Sequence, residues 1–422
     1  MIRPKKIRAS AMQFAILVAT IIAVLLGSFL TLAQTHIFFN TQSRILGNVI
    51  DSANTGIEYS LRKEHIITDS ISIENDIYTK KIKKTSWGGY LKINSSASAK
   101  TKNFSKIALT GSKVSDPALG IYLSKGKLPL VLVGNTVIEG DAYVSDLGIK
   151  PGIISGHYYN GKELVKGTIS SVKGDLPELD AVWLNDIRRL LEYVPFNSNE
   201  VIQREAINKN SFFESTNFVY DENKITLNET YIGNIIIKSE TEVVISNNAK
   251  LTDVVVIAPK ITIEEGFIGN ASFICEEKIT LAENVQLNYP SSLIVNNTKN
   301  DESIPVNKGE EPIFIANNST ITGTVIYLDE REEKMDNRMN SFTHLAIATN
   351  GKINGFVYCQ GNVELMGTVA GAIYADRFLA REFGSVYINH IYNGKVLGRD
   401  IDPAFGGLPF KESDKAIVKW LY

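Results

Sequence analysis

From Lys224 to Leu293 the chain repeats itself every 18 residues. Lys224-Ile-Thr-Leu, Glu242-Val-Val-Ile, Lys260-Ile-Thr-Ile and Lys278-Ile-Thr-Leu follow one another with no insertion or deletion. A period of six runs inside each row. On one phase lie Ile225, Tyr231, Ile237, Val243, Ala249, Val255, Ile261, Phe267, Phe273, Ile279 and Val285. Two residues further on, positions such as Leu227, Ile245, Leu251, Ile263, Cys275 and Leu281 are apolar, and Gly233, Ser239 and Gly269 are small. An apolar pair at i and i+2 marks one face of a short strand. Three such strands per row, separated by polar or Gly-containing corners, describe a three-sided coil whose turns stack as parallel strands. The pattern predicts a mainly β protein built on a parallel β-helix, a three-sided solenoid of about 18 residues per coil. An antiparallel sandwich has evenly spaced strands too, but no reason to keep Thr226, Val244, Thr262 and Thr280 in register as an outward ladder.

The same pattern extends on both sides of this stretch. Leu130-Val-Leu-Val and Thr136 to Val144 resemble the later coils. Ile313 to Tyr327 and Leu345 to Gly371 resume the phase after two polar loops, at Asn296 to Glu311 and Asp329 to Asn340. Three sub-motifs, Ile321-Thr-Gly-Thr-Val, Ile353-Asn-Gly-Phe-Val and Val369-Ala-Gly-Ala-Ile, share a Gly at one corner. An excursion from about 161 to 222 carries an amphipathic helix, Asp180 to Val194, with Asp180 as N-cap. It is a candidate cap for one end of the solenoid.

At the N-terminus, Arg3, Lys5, Lys6 and Arg8 precede a run from Phe14 to Ala33 without any charge. About 20 apolar residues are enough to cross a bilayer as a helix, and the flanking basic residues place the N-terminus in the cytoplasm. The run is longer than the hydrophobic region of a cleaved secretory signal, which favours an uncleaved signal anchor. Helical spacing then continues through Ile45, Leu46, Val49, Ile50, Ala53, Ile57 and Leu61. A helix from Ser10 to Glu64 would be about 80 Å long. Its outer apolar stripe needs covering by this chain's own β structure or by neighbouring subunits. The expected assembly residues are Ile45, Leu46, Val49, Ile50, Ile57 and Leu61. The chain thus divides into a basic leader (1–8), a transmembrane anchor (9–34), an amphipathic helix (35–65) and a β region packing on it (66–127). A β-helix (128–395) with its helical insert and a capping tail (396–422) complete it.

The basic leader, the run Ser10-Ala-Met-Gln-Phe-Ala-Ile-Leu-Val-Ala and the passage from apolar to amphipathic helix resemble the N-terminus of pilin-like proteins, PilX-type pilus-assembly proteins above all. The chain lacks the Gly before the cleavage point and the Glu at the fifth mature position that typify prepilins. The run Gly361-Asn-Val-Glu-Leu-Met-Gly-Thr-Val-Ala-Gly-Ala-Ile resembles bactofilins, polymer-forming β-helix scaffolds. These resemblances imply a structural component of a pilus-like or envelope assembly, with the membrane and other pilin-like or envelope proteins as partners.

Charge changes the picture little. The balance of 44 basic and 46 acidic residues argues against nucleic acid as a partner. Cys275 and Cys359 share the inward phase several coils apart, which excludes a disulfide between them. A solenoid can also be an anchored adhesin that binds glycan, or a polysaccharide-active enzyme. The best carboxylate column is Glu229, Asn247, Glu265 and Glu283, beside Lys224, Glu242, Lys260 and Lys278. It reads as a solvated ladder rather than a converging acid–base pair. His36, His65, His157, His344 and His390 have no metal-ligand spacing. Tyr59, Tyr158, Tyr159 and Trp183 are candidates for sugar stacking, though core packing is their commoner use. No catalytic, metal or cofactor site is expected.

Overall fold

The computed structural model describes residues 9–422, apart from 63, 65–69, 75–77, 115–117, 125, 173, 196–199, 299–308, 332–340 and 403. The basic leader, His65 and most of the two polar loops lie outside the described residues. The chain is mainly β, with two α-helices among the described residues, Ala9–Leu61 (α1) and Ala181–Glu192 (α2).

The outer half of α1 lies against an antiparallel sheet. Its strands are β1 (Ser70–Glu74), β2 (Thr79–Trp87), β3 (Tyr90–Ala99) and β4 (Lys102–Lys113), paired in sequence order. The strand Lys415–Leu421 and the short Gly406–Gly407 both pair with the remaining side of β4. The last residues of the chain therefore complete a sheet begun by the first. Val49 and Ala53 of α1 pack on Ala97 and Ala99, and Ile57 packs on Ile82, Ile93 and Ala108.

Most other strands join in one large parallel network that forms three ladders. In the first, Ile225, Val243, Ile261, Ile279, Ile313, Leu345 and Val363 pair in succession. Their neighbours Thr226, Val244, Thr262 and Thr280 form the expected outward row. The 18-residue register is strict here and looser in the other two ladders. Tyr231 pairs with Leu251 and Ile237 with Val256, so Tyr231 does not sit over Ala249. The slip is taken up at Asp253, an irregularity in the ladder where the backbone turns to φ 61°. The Gly corner is explained by stacking. Gly323, Gly355 and Gly371 pair in register at φ of 149°, 144° and 144°. A Cβ on Gly355 would lie 2.0 Å from the carbonyl oxygen of Gly323, so only glycine fits there.

Strand order departs from chain order. Residues 119–171 do not precede the repeats of 225–297 in space. Ile121 and Tyr122 pair with Ile373 and Tyr374, and Ile138 pairs with Val396. The early strands are thus added beyond the late ones. Residues 174–193 return along the outside of the third ladder, in which Ile236, Val255, Ser272, Ser292, Thr324 and Phe356 pair in succession. Asp175 accepts from the Tyr122 hydroxyl (3.2 Å) and Pro177 from that of Tyr358 (3.1 Å), while Arg188 donates to Glu330 (2.8 Å). Lys238 Nζ donates to the carbonyls of Leu191 and Tyr193, each at 2.6 Å, at the end of α2, a cation at a helix C-terminus. Helix α2 begins with the expected N-cap, as Asp180 accepts from Val182 and Trp183 N–H. It lies against the side of the stack, not over an end.

Two large cores flank the ladders. One fills the interior of the stack, from Ile121 to Val396, and includes both cysteines. The other lies outside the third ladder, where Ile236, Val255, Ile257, Ile274, Ile294 and Ile326 meet Trp87, Tyr90, Leu91 and Trp183. The β2–β3 turn docks closely between them. Gly89 N–H donates to Ser292 Oγ at 2.8 Å, and a Cβ on Gly89 would lie 2.4 Å from Thr324 Oγ1. Small hydroxyl residues, Ser272, Ser292 and Thr324, occupy successive rungs here. Gly89→Leu is therefore expected to force the sheet off the stack at a cost of about 1–3 kcal/mol. A urea midpoint equal to that of the parent chain would mean that this turn does not seat on the ladder.

Candidate functional site

The sequence placed the site on the outer part of α1, and the six residues named there divide into two groups. Val49 and Ile57 are buried under the chain's own sheet, and Ile45 is partly covered by the same cluster. Gly56 permits the close approach, since a Cβ there would lie 2.1 Å from Ser95 Oγ. Ile50 and Leu61 are half-buried, and Leu46 is exposed. Val49 and Ile57 are consequently unavailable to neighbouring helices. The face that is available lies earlier, where Met12, Phe14, Leu25, Phe29, Phe38 and Phe39 are all more than half exposed. This part of α1 is long and apolar enough to cross a membrane.

The polar candidates are dispersed. Glu229 is held by Arg204 (2.8 Å), Glu265 accepts from Asn284 (3.1 Å) and Glu283 accepts from Asn317 (3.2 Å). Lys224 pairs with Glu242 at 2.9 Å and Lys260 with Glu277 at 3.5 Å. These are separate surface contacts along a ladder. The described histidines are likewise scattered. His36 is exposed on α1 beside Asn40, His157 stacks on Phe383 (5.5 Å) and His390 meets the Ile388 carbonyl (2.7 Å). His344 is buried between Tyr327 and Phe342, and its Nδ1 accepts from Asn362 N–H at 2.9 Å. Burial drives its pKa down to about 3, which keeps the ring neutral as that acceptor role requires. Among the described residues, no group of three His, Cys, Asp or Glu side chains could hold a metal ion.

Of the aromatic candidates, Trp183 is fully buried and donates to the Gly88 carbonyl at 2.9 Å. Tyr59 packs beside Ile57, and the Tyr159 hydroxyl donates to Glu163 O. Tyr158 is exposed on its own short hairpin. The four do not form a common stacking surface.

No family model and no curated protein matches this chain. It is similar to a solved structure, the competence-associated pilin ComZ from Thermus thermophilus. The identity is 8%, with 89% of this chain and 97% of that chain covered, at a TM-score of 0.21. A score at that level carries no argument about fold or function.

Three buried polar contacts went unseen in the sequence. Asp253 receives Lys419 Nζ on both carboxylate oxygens at 2.7 Å, and its carbonyl accepts from Trp87 Nε1 at 2.8 Å. This single residue ties the C-terminal strand, the β2–β3 hairpin and the stack together. Arg381 bridges the buried carboxylates of Glu311 and Glu364, fastening the end of a polar loop to a late coil. Lys84 pairs with Asp180 at 2.5 Å, joining β2 to the start of α2. All three join segments far apart in the chain, so spacing carries no trace of them. The Gly88-Gly89 pair between two strand-like runs is a hairpin signal that also went unread in the sequence.

Proposed function

We propose that this chain is a non-enzymatic, membrane-anchored, pilin-like structural protein of the cell envelope. The N-terminus is cytoplasmic and the β structure is exported. The observation that carries the reading is the division of α1 into two parts. Its first part is apolar and exposed, while its second part is gripped by the antiparallel sheet. A simple tether would need only the span, whereas a helix fixed in a sheet holds the exported body at a set orientation to the membrane. Assembly with other pilin-like or envelope proteins runs through the exposed face up to Leu46. Ile50 and Leu61 are at most peripheral to it. The PilX-type resemblance belongs to this proposal. So does the reading of the three ladders as a three-sided parallel β-helix, which serves as the displayed or scaffolding part, as the bactofilin-like run suggests. The units run to about residue 65 for the helix and 127 for the sheet, with the β-helix to 395. An adhesin that binds glycan has less support, because the aromatic candidates are scattered.

Cross-linking in membranes tests this. Replacing Phe39 and Leu46 together by Ser leaves membrane insertion and the melting of the β structure unchanged, because neither residue is buried in the chain. The proposal expects the double variant to lose the cross-linked helix partners that the parent chain recovers. Recovery of the same partners at the same yield would overturn it.

A further inference from the structure

A pocket of ≈ 530 Å³ lies where β2 and β3, the last turns of α2 and the strands around 216–236 meet. Its apolar walls include Trp87, Leu190, Phe218 and Ile236, and Thr85, Ser215 and Thr216 add hydroxyls. Each carboxylate that lines it is already engaged. Asp186 accepts from Ser86 N–H (2.7 Å) and Arg189 (2.5 Å), and Glu200 accepts from the Tyr193 hydroxyl (2.8 Å). The two lysines that line it, Lys83 and Lys92, form no close ion pair with a carboxylate among the described residues, although the charge of Asp186 acts on Lys92 from a distance. Lys92 Nζ instead rests over the Trp87 ring at 4.6 Å and near Phe212 at 5.9 Å. Ring faces hold a cation but leave its outward N–H groups unmatched. The pocket therefore presents two lysines, of which Lys83 is exposed, beside the apolar patch of Trp87, Leu190, Phe218 and Ile236, with Arg189 also in its lining.

We infer that this pocket binds a small monocarboxylate carried on a ring-shaped or apolar body, with Lys92 and Lys83 receiving the carboxylate. The body would lie against Phe218, Leu190 and Ile236, as ligands commonly do in hollows of this size and lining. A single negative charge suits the place better than two, because the carboxylates of Asp186 and Glu200 already share the lining. Burial, with Lys83 nearby and against the opposing charge of Asp186, lowers the Lys92 pKa to about 8, so a larger share of its amine is neutral and nucleophilic near neutral pH than for an ordinary lysine. That makes occupancy measurable at one residue. The inference is independent of the assembly proposed above.

The test uses the full chain in detergent micelles, with benzoate and glucuronate as probes at constant ionic strength. Acylation of each lysine is followed by mass spectrometry of its peptide. Either probe, at ten times its Kd, is expected to slow labelling of Lys92 about tenfold while distant lysines such as Lys352 are unaffected. Protection by one probe alone supports the inference and identifies the body that the walls accept. Thermal midpoints provide the second reading. The effective probe raises the midpoint of the parent chain but not that of Lys92→Gln, and Lys83→Gln, at an exposed position, shows a reduced rise if Lys92→Gln does not fold. Failure of both probes to protect Lys92, or equal slowing at all lysines, overturns the inference.

Discussion

Phe267→Asp is expected to unfold the stack, while Glu265→Ala, two positions away, leaves the melting midpoint nearly unchanged. Phe267 has no exposed surface, and its ring occupies the space above Gly269, where a Cβ would lie only 2.5 Å from it. An aspartate there would lose that packing and bury a charge among aliphatic side chains with no cation to meet it. The cost is several kcal/mol, a large part of the roughly 5–15 kcal/mol that holds a typical domain together. Glu265 is exposed and loses only one contact, with Asn284 at 3.1 Å, worth at most about 1 kcal/mol. Circular dichroism melts of the two variants check this directly. Matching midpoints would place Phe267 outside the core.

The second large effect is expected from Val49→Ser combined with Ile57→Ser. Both side chains are buried between α1 and the sheet, at 0% and 1% exposure. Each change removes a branched apolar group and leaves a hydroxyl in its place, for about 2–4 kcal/mol apiece. The expected outcome is that α1 separates from β3 and β4 and their amides exchange rapidly, while amides of the first ladder remain protected. Leu46→Ser, at an exposed position, serves as the control. Unchanged protection in β3 and β4 of the double variant would mean that the sheet stands without the helix.

These two sites show how unevenly the sequence reveals the structure. Phe267 was legible because the ladder repeats and an inward residue recurs at fixed spacing. Val49 and Ile57 were legible as an apolar stripe, yet two coverings were possible for it. Only the strands brought against the stripe, with Ala97, Ala99 and Ala108 small enough to admit the helix, decide between them. The outer core had a sign that the period concealed. Val254-Val-Val-Ile257 and Leu293-Ile-Val295 are continuous apolar runs, and a strand with one wet face would alternate instead. Such runs mean burial on both faces, and therefore a layer packed outside the stack. The pocket around Lys92 was not legible at all. Its parts come from β2, β3, α2 and residues 200–236, and no local pattern joins them.

The placement of residues 119–171 beyond residue 397 has a consequence for how the protein matures. A chain made from its N-terminus produces these strands early and can pair them with one another, but the edge that joins them to the rest of the stack does not yet exist. Ser124 meets the carbonyl of Asp376 only after 252 further positions have been added. The antiparallel sheet waits still longer, since β4 gains Lys415–Leu421 last of all. Repeats of 225–297 can stack on one another as they emerge, because each finds its neighbour 17 to 20 residues away. The stack is therefore closed from two parts, and the earliest strands settle as a group on a template made after them. Contacts of such long range slow the final steps. Until then an unfinished copy exposes open strand edges, and the stretch made first is exposed the longest.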